Sequence, residues 1–377
     1  NYSNVTMEDK TVDATARLIS DIAKTKAKLF KRKNKEEERL IVVIIIGGET
    51  QLAKSQLLRL VKKIIVECND PNIVKRISIA TSSNGTIKPD LDFVEVVCKN
   101  FQNLSYQISI DGIPEIQENT RGFGLEEKRQ TIPLIRETIK FLKENAPYEN
   151  LQIHSHTAIS KDTIPYLRKS FVYLWCELGI LPKLYPVYDG GTSEQLIEIL
   201  RWQLMEILYY IRNDKPLQKE MERQGDIIEK MLPFVCSSGL ESVSIVPNGD
   251  IYNCDRFYYW RKTSDRPDIE ETCEKAHYGN VMTDIDISKV EHLRKLVTEY
   301  PEHNIGSHFC VLRDKHCSGQ FDEDQDRLLI MRQKMYVAEY AERINKYSVE
   351  FKERQDRQKI YNLADLITEI LQILKKR

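Results

Sequence analysis

The sequence predicts an α/β scaffold of repeated strand–helix units, followed by a smaller domain that carries cysteines. Three observations predict it. Apolar, β-branched runs alternate with stretches of helical period, which implies right-handed crossovers and a parallel sheet. Gly, Asp, Ser and Asn repeatedly close the strand runs, on the rim where parallel sheets and barrels bind ligands. Five of the eight cysteines fall between positions 236 and 317, after the texture has changed at Pro233.

The first strand is read over 40–46 as a continuous apolar run, Leu40-Ile41-Val42-Val43-Ile44-Ile45-Ile46, expected to be covered on both faces. A helix over 54–67 follows, with Leu57, Leu58, Val61 and Ile65 on one face. A second strand over 76–81 ends in Ser82-Ser83-Asn84-Gly85-Thr86. A helix over 91–99 then leads to a third strand over 105–110, ending in Asp111-Gly112. Next come a helix over 131–144, a strand over 151–159 and a helix over 164–178. A strand over 184–188, closed by Asp189-Gly190-Gly191, precedes a helix over 193–211.

Beyond Pro233, the runs 241–246 and 251–254 read as a β-hairpin turning at Pro247-Asn248-Gly249-Asp250. From Asp322 the text is charged and helical. It closes in an amphipathic helix with Leu363, Leu366, Ile367, Ile370 and Leu374, and Asn362 as its cap. That helix is expected to pack on the body or on a partner subunit.

A chain of 377 residues supports more than one domain. Its 41% hydrophobic and 30% charged residues are ordinary for a globular protein, and a net charge of −1 gives no steering toward nucleic acid or a membrane surface. The basic run from Lys24 to Lys35 is answered at once by Glu36-Glu37-Glu38 and reads as a solvated helix end. No apolar run approaches the ~20 residues that span a bilayer, and a cytoplasmic location is expected. Cys68, Cys98 and Cys176 lie in apolar helical text and read as buried, reduced thiols. The later cysteines suggest metal or cluster ligation more than disulfides.

Gly47-Gly48-Glu49 follows the first strand directly. The glycines let backbone come close to a bound molecule, and the carboxylate suits an ammonium group, although a tight strand-to-helix turn needs the same glycines. The next strand carries Ser78-Ile79-Ala80-Thr81-Ser82-Ser83-Asn84-Gly85-Thr86. Gln107-Ile108-Ser109-Ile110-Asp111-Gly112-Ile113-Pro114-Glu115 follows, with Arg121 ten residues beyond the aspartate. Last come Pro247-Asn248-Gly249-Asp250-Ile251-Tyr252-Asn253-Cys254-Asp255 and Tyr278-Gly279-Asn280-Val281.

In this order and spacing, across 7–321, the series resembles the radical S-adenosylmethionine (SAM) enzymes, in the branch with a C-terminal SPASM or twitch domain. The resemblance implies a partial (β/α)6 barrel over 1–230, a small cysteine domain over 231–325 and a helical extension over 326–377. It assigns Gly47, Gly48 and Glu49 to the amino group of S-adenosylmethionine, and Ser83 and Asn84 to the polar end of the next strand. Ser109, Asp111 and Arg121 match positions near the ribose and carboxylate. A zwitterionic amino acid joined to a nucleoside needs such a carboxylate, cation and hydroxyls around one rim. The resemblance further implies a 5′-deoxyadenosyl radical that modifies a peptide or protein substrate, with electrons from a flavodoxin or ferredoxin.

The chain departs from that pattern in two places. The Cys-x-x-x-Cys-x-x-Cys segment that holds the radical-generating four-iron cluster is absent, and Cys68 is the first cysteine. With Asn1 rather than Met at the start, that segment is expected upstream; without it, the reading becomes a non-catalytic scaffold or binding subunit. In the C-terminal domain Gly249 and Cys254 fit the first element, but Ser307 and Phe321 stand where cysteine is usual. One four-iron cluster can still be built from Cys236, Cys254 and Cys317, completed by Cys310 or Cys273. A zinc site with His308 or His316, in a zinc-stabilised interaction module, and a domain with no metal stay open beside it.

Asp255 matches an aspartate that takes the substrate proton in sulfatase-maturing relatives. It reads equally as a turn residue or a partner of Arg256. His154 and His156 lie two apart on a strand and face one side, as cavity-lining, metal-binding or hydrogen-bonded interior histidines.

Overall fold

The computed structural model describes residues 6–32, 39–121, 130–186, 193–224, 243–263, 267–283, 285–286 and 288–289. The chain enters through a long helix, α1 (Asp9–Arg32), and passes to strand β1 (Ile41–Ile45), a 3-10 turn at Thr50–Ala53 and helix α2 (Lys54–Cys68). Asn69 ends α2 in the left-handed region and returns its N–H to Ile65. The side chain of Asp70 caps the short helix α3 (Pro71–Val74), whose first residue is proline.

Strand β2 (Ile77–Ser83), helix α4 (Leu91–Asn100) and strand β3 (Asn103–Ser109) follow, with Asp90 capping α4. Helices α5 (Pro114–Arg121) and α6 (Thr131–Asn145) precede strand β4 (Leu151–Ile159). The segment expected to be one helix over 164–178 starts as a 3-10 turn at Ile164–Tyr166 before α7 (Leu167–Cys176). Strand β5 (Leu184–Pro186), α8 (Glu194–Asn213) and α9 (Lys215–Arg223) complete this part.

The strands form one five-stranded parallel sheet in the order β1-β2-β3-β4-β5, each joined to the next through a crossover. Alternation along the strands explains how it is covered. On β3, Leu104, Tyr106 and Ile108 are buried, while Asn103, Ser105, Gln107 and Ser109 are only half-buried. The apolar set joins Ile77 and Ile79 of β2 against Ala16, Ile19 and Ala23 of α1, Leu57, Val61 and Ile64 of α2, and the apolar faces of α4 and α6. Alanines on α1 let it lie close to α2, and Arg59 of α2 pins Asp13 and Asp9 at 2.8 and 3.0 Å. A second core joins Ile159 and Leu184 to Leu167 and Phe171 of α7 and to Leu200, Leu204 and Leu208 of α8.

The opposite, inner face is polar on β3 and β4, and on β1 it is uncovered. Here the expectation for the first strand is overturned. Val42, Ile44 and Ile46 are 41%, 61% and 54% exposed, because β1 is an edge strand among the described residues and the core helices pack only on the other face.

The expected hairpin is present as β6 (Ser244–Ile245) and β7 (Asp250–Tyr252), with Gly249 at φ +89° in the turn. After α10 (Asp255–Thr263) and α11 (Pro267–Ala276), strand β8 (His277–Asn280) pairs antiparallel with β7. Their core of Val246, Ile251, Tyr252, Phe257, Cys273 and Tyr278 packs against Leu18 of α1. The expected C-terminal helix and the Asp189-Gly190-Gly191 turn lie outside the described residues. Among the described residues no helix is long and apolar enough to cross a membrane.

Candidate functional site

The C-terminal ends of β1, β2 and β3 gather most of the residues expected at a ligand rim. Glu49 caps the 3-10 turn: its Oε1 accepts the N–H of Gln51 at 2.9 Å, while Oε2 accepts Ser83 Oγ at 3.2 Å and the N–H of Asn84 at 2.7 Å. Two strand ends are thereby clasped by one carboxylate. A carboxylate has about four acceptor positions, so Glu49 keeps room for one further donor. Asn84 is used locally, its Oδ1 accepting both the N–H and the hydroxyl of Thr86 at 2.8 and 2.7 Å. Above the clasp there is space, since a Cβ added at Gly47 or Gly48 would meet nothing within 4 Å.

Beside this clasp the buried Thr50 donates to the carbonyl of Ser82 at 2.7 Å and lies 3.2 Å from Thr81 Oγ1. The sequence reading did not single out Thr50, although its place one residue after Glu49 is a signal that it secures the same turn.

Asp111 follows β3 and is 4% exposed. All its acceptor positions are taken. Oδ2 receives Thr120 Oγ1 at 2.9 Å and Arg121 Nε at 2.8 Å, and Oδ1 receives Arg121 Nη2 at 3.0 Å and the N–H of Ala158 at 3.2 Å. Gln117 holds the N–H of Asp111 at 2.8 Å, so α5 folds back over the strand end it follows. Gly112, at φ +152°, permits this: a Cβ there would lie 2.1 Å from Ser170 Oγ.

Inner-face neighbours are set by register. Gln107 pairs with His154 and Ser109 with His156. The His156 ring lies flat on Tyr185, with centroids 3.9 Å apart and planes 13° from parallel. Burial, with Arg121 nearby, pushes the His156 imidazole down to about 4, so it is neutral at physiological pH. His154 is fully buried, and its pKa lies well below 6.5 for the same reason, with Lys183 and His156 adding to the shift. Both His154 ring nitrogens are sealed from solvent and have no hydrogen-bond partner among the described residues. The expectation of a hydrogen-bonded interior histidine therefore fails at this position.

In the small sheet, Cys254 donates its thiol to Asp255 Oδ1 at 3.4 Å, and Asp255 opens the first turn of α10. Cys273 is buried in the core of that unit. Cys236, Cys310 and Cys317 lie outside the described residues. Among the described residues no cluster of three or more His, Cys, Asp or Glu side chains is arranged to hold a metal ion.

Cys68 and Cys98 are buried, and burial pushes the Cys98 thiol up to about 12. Cys176, expected to be buried, is exposed at the end of α7. Its sulfur lies 3.1 Å from the hydroxyl of Tyr210, which donates to Asp214 at 3.1 Å.

The rim offers a carboxylate with spare capacity, a guanidinium with about a third of its side chain in solvent, hydroxyls and open space over two glycines. This donor set fits a zwitterionic nucleoside of the S-adenosylmethionine type.

No family model and no curated protein sequence matches the chain. Among solved structures, it is similar to "native anSMEcpe with bound AdoMet and Kp18Cys peptide", with a TM-score of 0.55 over 89% of this chain and 91% of that one. The two are 13% identical. A likeness at that identity shows the fold alone, a partial α/β barrel with a small C-terminal unit.

Proposed function

We propose that the chain is a radical SAM enzyme that modifies a side chain of a peptide or protein. One observation carries the reading: Glu49, Ser83, Asn84, Asp111 and Arg121 converge on the C-terminal rim of a parallel sheet, below open space at Gly47 and Gly48. The similar fold that holds AdoMet and a peptide supports it.

In this reading Glu49 receives the ammonium of the bound cofactor through its remaining acceptor position, and Arg121 faces the carboxylate. Ser83 and the N–H of Asn84 hold the Glu49 carboxylate in place, so the cation-binding group is oriented before the ligand arrives. The neutral inner face of Ser109, Gln107 and His156 takes the uncharged part. Bound S-adenosylmethionine, with a four-iron cluster, supplies the 5′-deoxyadenosyl radical that abstracts a substrate hydrogen. The barrel is assigned to 1–230, the cysteine domain to 231–325 and the helical extension to 326–377. Cys254, with Cys236, Cys310 and Cys317, is assigned to one further cluster, and Asp255 to the substrate side of it. A flavodoxin or ferredoxin in the cytoplasm supplies electrons.

The test is reconstitution of the full-length protein with iron and sulfide under anaerobic conditions, followed by assay for 5′-deoxyadenosine. Cofactor binding with cleavage supports the enzyme. Binding without cleavage favours a non-catalytic scaffold that keeps the rim, and absence of binding overturns both.

A further inference from the structure

Tyr106 stands in the middle of β3, on the face that packs the core, and is fully buried. Its hydroxyl is sealed from solvent and makes no hydrogen bond among the described residues. For the fold alone phenylalanine would serve better, because a buried hydroxyl without a partner is a net cost. We infer that Tyr106 is a positioning residue for the ligand rim: with an ammonium group on Glu49, its hydroxyl donates to Ser83, which in turn holds the Glu49 carboxylate. The inference rests on the cofactor reading above.

Position comes first. Tyr106 is the register partner of Thr81, and Ser83 lies two residues further along β2 on the same face. The phenol therefore lies behind the clasp that Glu49 makes with Ser83 and the N–H of Asn84. Burial above all pushes the phenol above its ordinary range, with Ser83 drawing it down and Glu49 raising it, so both groups are felt at Tyr106. The hydroxyl keeps its proton and has it to give.

Counting is the second argument. Ser83 Oγ has one proton and two acceptor positions. The proton goes to Glu49 Oε2 at 3.2 Å, and one acceptor position takes the N–H of Gly85 at 3.0 Å. A second acceptor position is left, facing a tyrosine with a proton and no partner. The Ser83–Glu49 contact is also long for a hydroxyl on a carboxylate, which usually closes to about 2.5–2.7 Å. A donor on the remaining position of Ser83 polarises its O–H and strengthens the bond it gives. The chain from Tyr106 through Ser83 to Glu49 thus fixes the carboxylate that meets the cation.

Calorimetric titration of the full-length wild type and Tyr106→Phe with S-adenosylhomocysteine and with adenosine tests this, beside urea denaturation of both proteins. Without ligand, Tyr106→Phe should be at least as stable as the wild type. It should bind S-adenosylhomocysteine about three- to tenfold more weakly, the size of one hydrogen bond. Adenosine, which has no ammonium group, should bind unchanged. In a Ser83→Ala background the same substitution should have no further effect on S-adenosylhomocysteine. Unchanged S-adenosylhomocysteine affinity in Tyr106→Phe overturns the inference, as do an equal loss for adenosine and additive losses in the double variant. A marked loss of stability without ligand places the hydroxyl in the fold and overturns it too. Each of these leaves the cofactor reading standing, whereas a wild type that binds neither ligand overturns that reading itself.

Discussion

Arg121 grips Asp111 through two contacts, Nε to Oδ2 at 2.8 Å and Nη2 to Oδ1 at 3.0 Å, and so joins the end of α5 to the end of β3. The carboxylate is buried and the guanidinium keeps 34% of its side chain in solvent. Breaking a fully buried pair costs about 3–5 kcal/mol because a charge is left behind, and exposure of Arg121 lowers that figure. Arg121→Met is therefore expected to destabilise the protein by about 2–3 kcal/mol in urea denaturation. A loss under ~0.5 kcal/mol would show that solvent already screens the pair.

How much of this was legible beforehand depends on whether a feature is local. The strand ends carrying Glu49, Ser83, Asn84 and Asp111 were readable, because apolar runs stop where polar and glycine residues begin. The alternation of Asn103-Leu104-Ser105-Tyr106-Gln107-Ile108-Ser109 already separates a core face from an open one. The Asp111–Arg121 pairing was not readable, since it needs α5 to fold back over the strand it follows. The exposure of Val42, Ile44 and Ile46 was missed because an apolar run does not tell a central strand from an edge one. The solvent position of Cys176 depends on where α7 ends. Of helix α1 only the solvated end from Lys24 onward was legible, as its buried stripe of Ala16, Ile19 and Ala23 is thin among Thr, Lys and Asp.

Gly112 is a backbone requirement of the same corner. Its φ of +152° is poorly tolerated by other residues, and a Cβ would lie 2.1 Å from Ser170 Oγ and 2.7 Å from Ser170 Cβ. Gly112→Ala is expected to cost about 2–3 kcal/mol by combined strain and overpacking. The Gly112→Ala/Ser170→Gly pair should recover part of it, which a thermal-melt comparison of the three variants measures. No recovery would place the whole cost in the backbone.

Glu49 gives a separable outcome. In Glu49→Gln one amide oxygen still accepts, but the NH2 group now faces Ser83 and Asn84, or turns toward the ligand where a cation is expected. The fold should lose about 1–2 kcal/mol from the clasp. S-adenosylhomocysteine affinity should fall more than tenfold while adenosine affinity hardly changes, because adenosine has no ammonium group. Equal losses for both ligands would place Glu49 in the clasp alone.

His154 sets an acid limit on stability. Burial holds its folded-state pKa well below 6.5, whereas the unfolded ring takes a proton near ~6.5. The unfolded state thus binds the proton more readily, so stability is full above about pH 6.5 and declines as pH falls below it. The slope reaches about 1.4 kcal/mol per pH unit for each such ring. His156 adds a second proton over the window down to its value of about 4. His154→Leu removes one of the two and also removes two unpartnered buried nitrogens, each of which costs about 1–3 kcal/mol. The variant is expected to match or exceed wild-type stability at pH 7.5, and its loss between pH 6.5 and 5 should be roughly half as steep. Urea midpoints at half-unit pH steps measure both quantities, and an unchanged slope would mean that His154 is already protonated or hydrated in the folded chain.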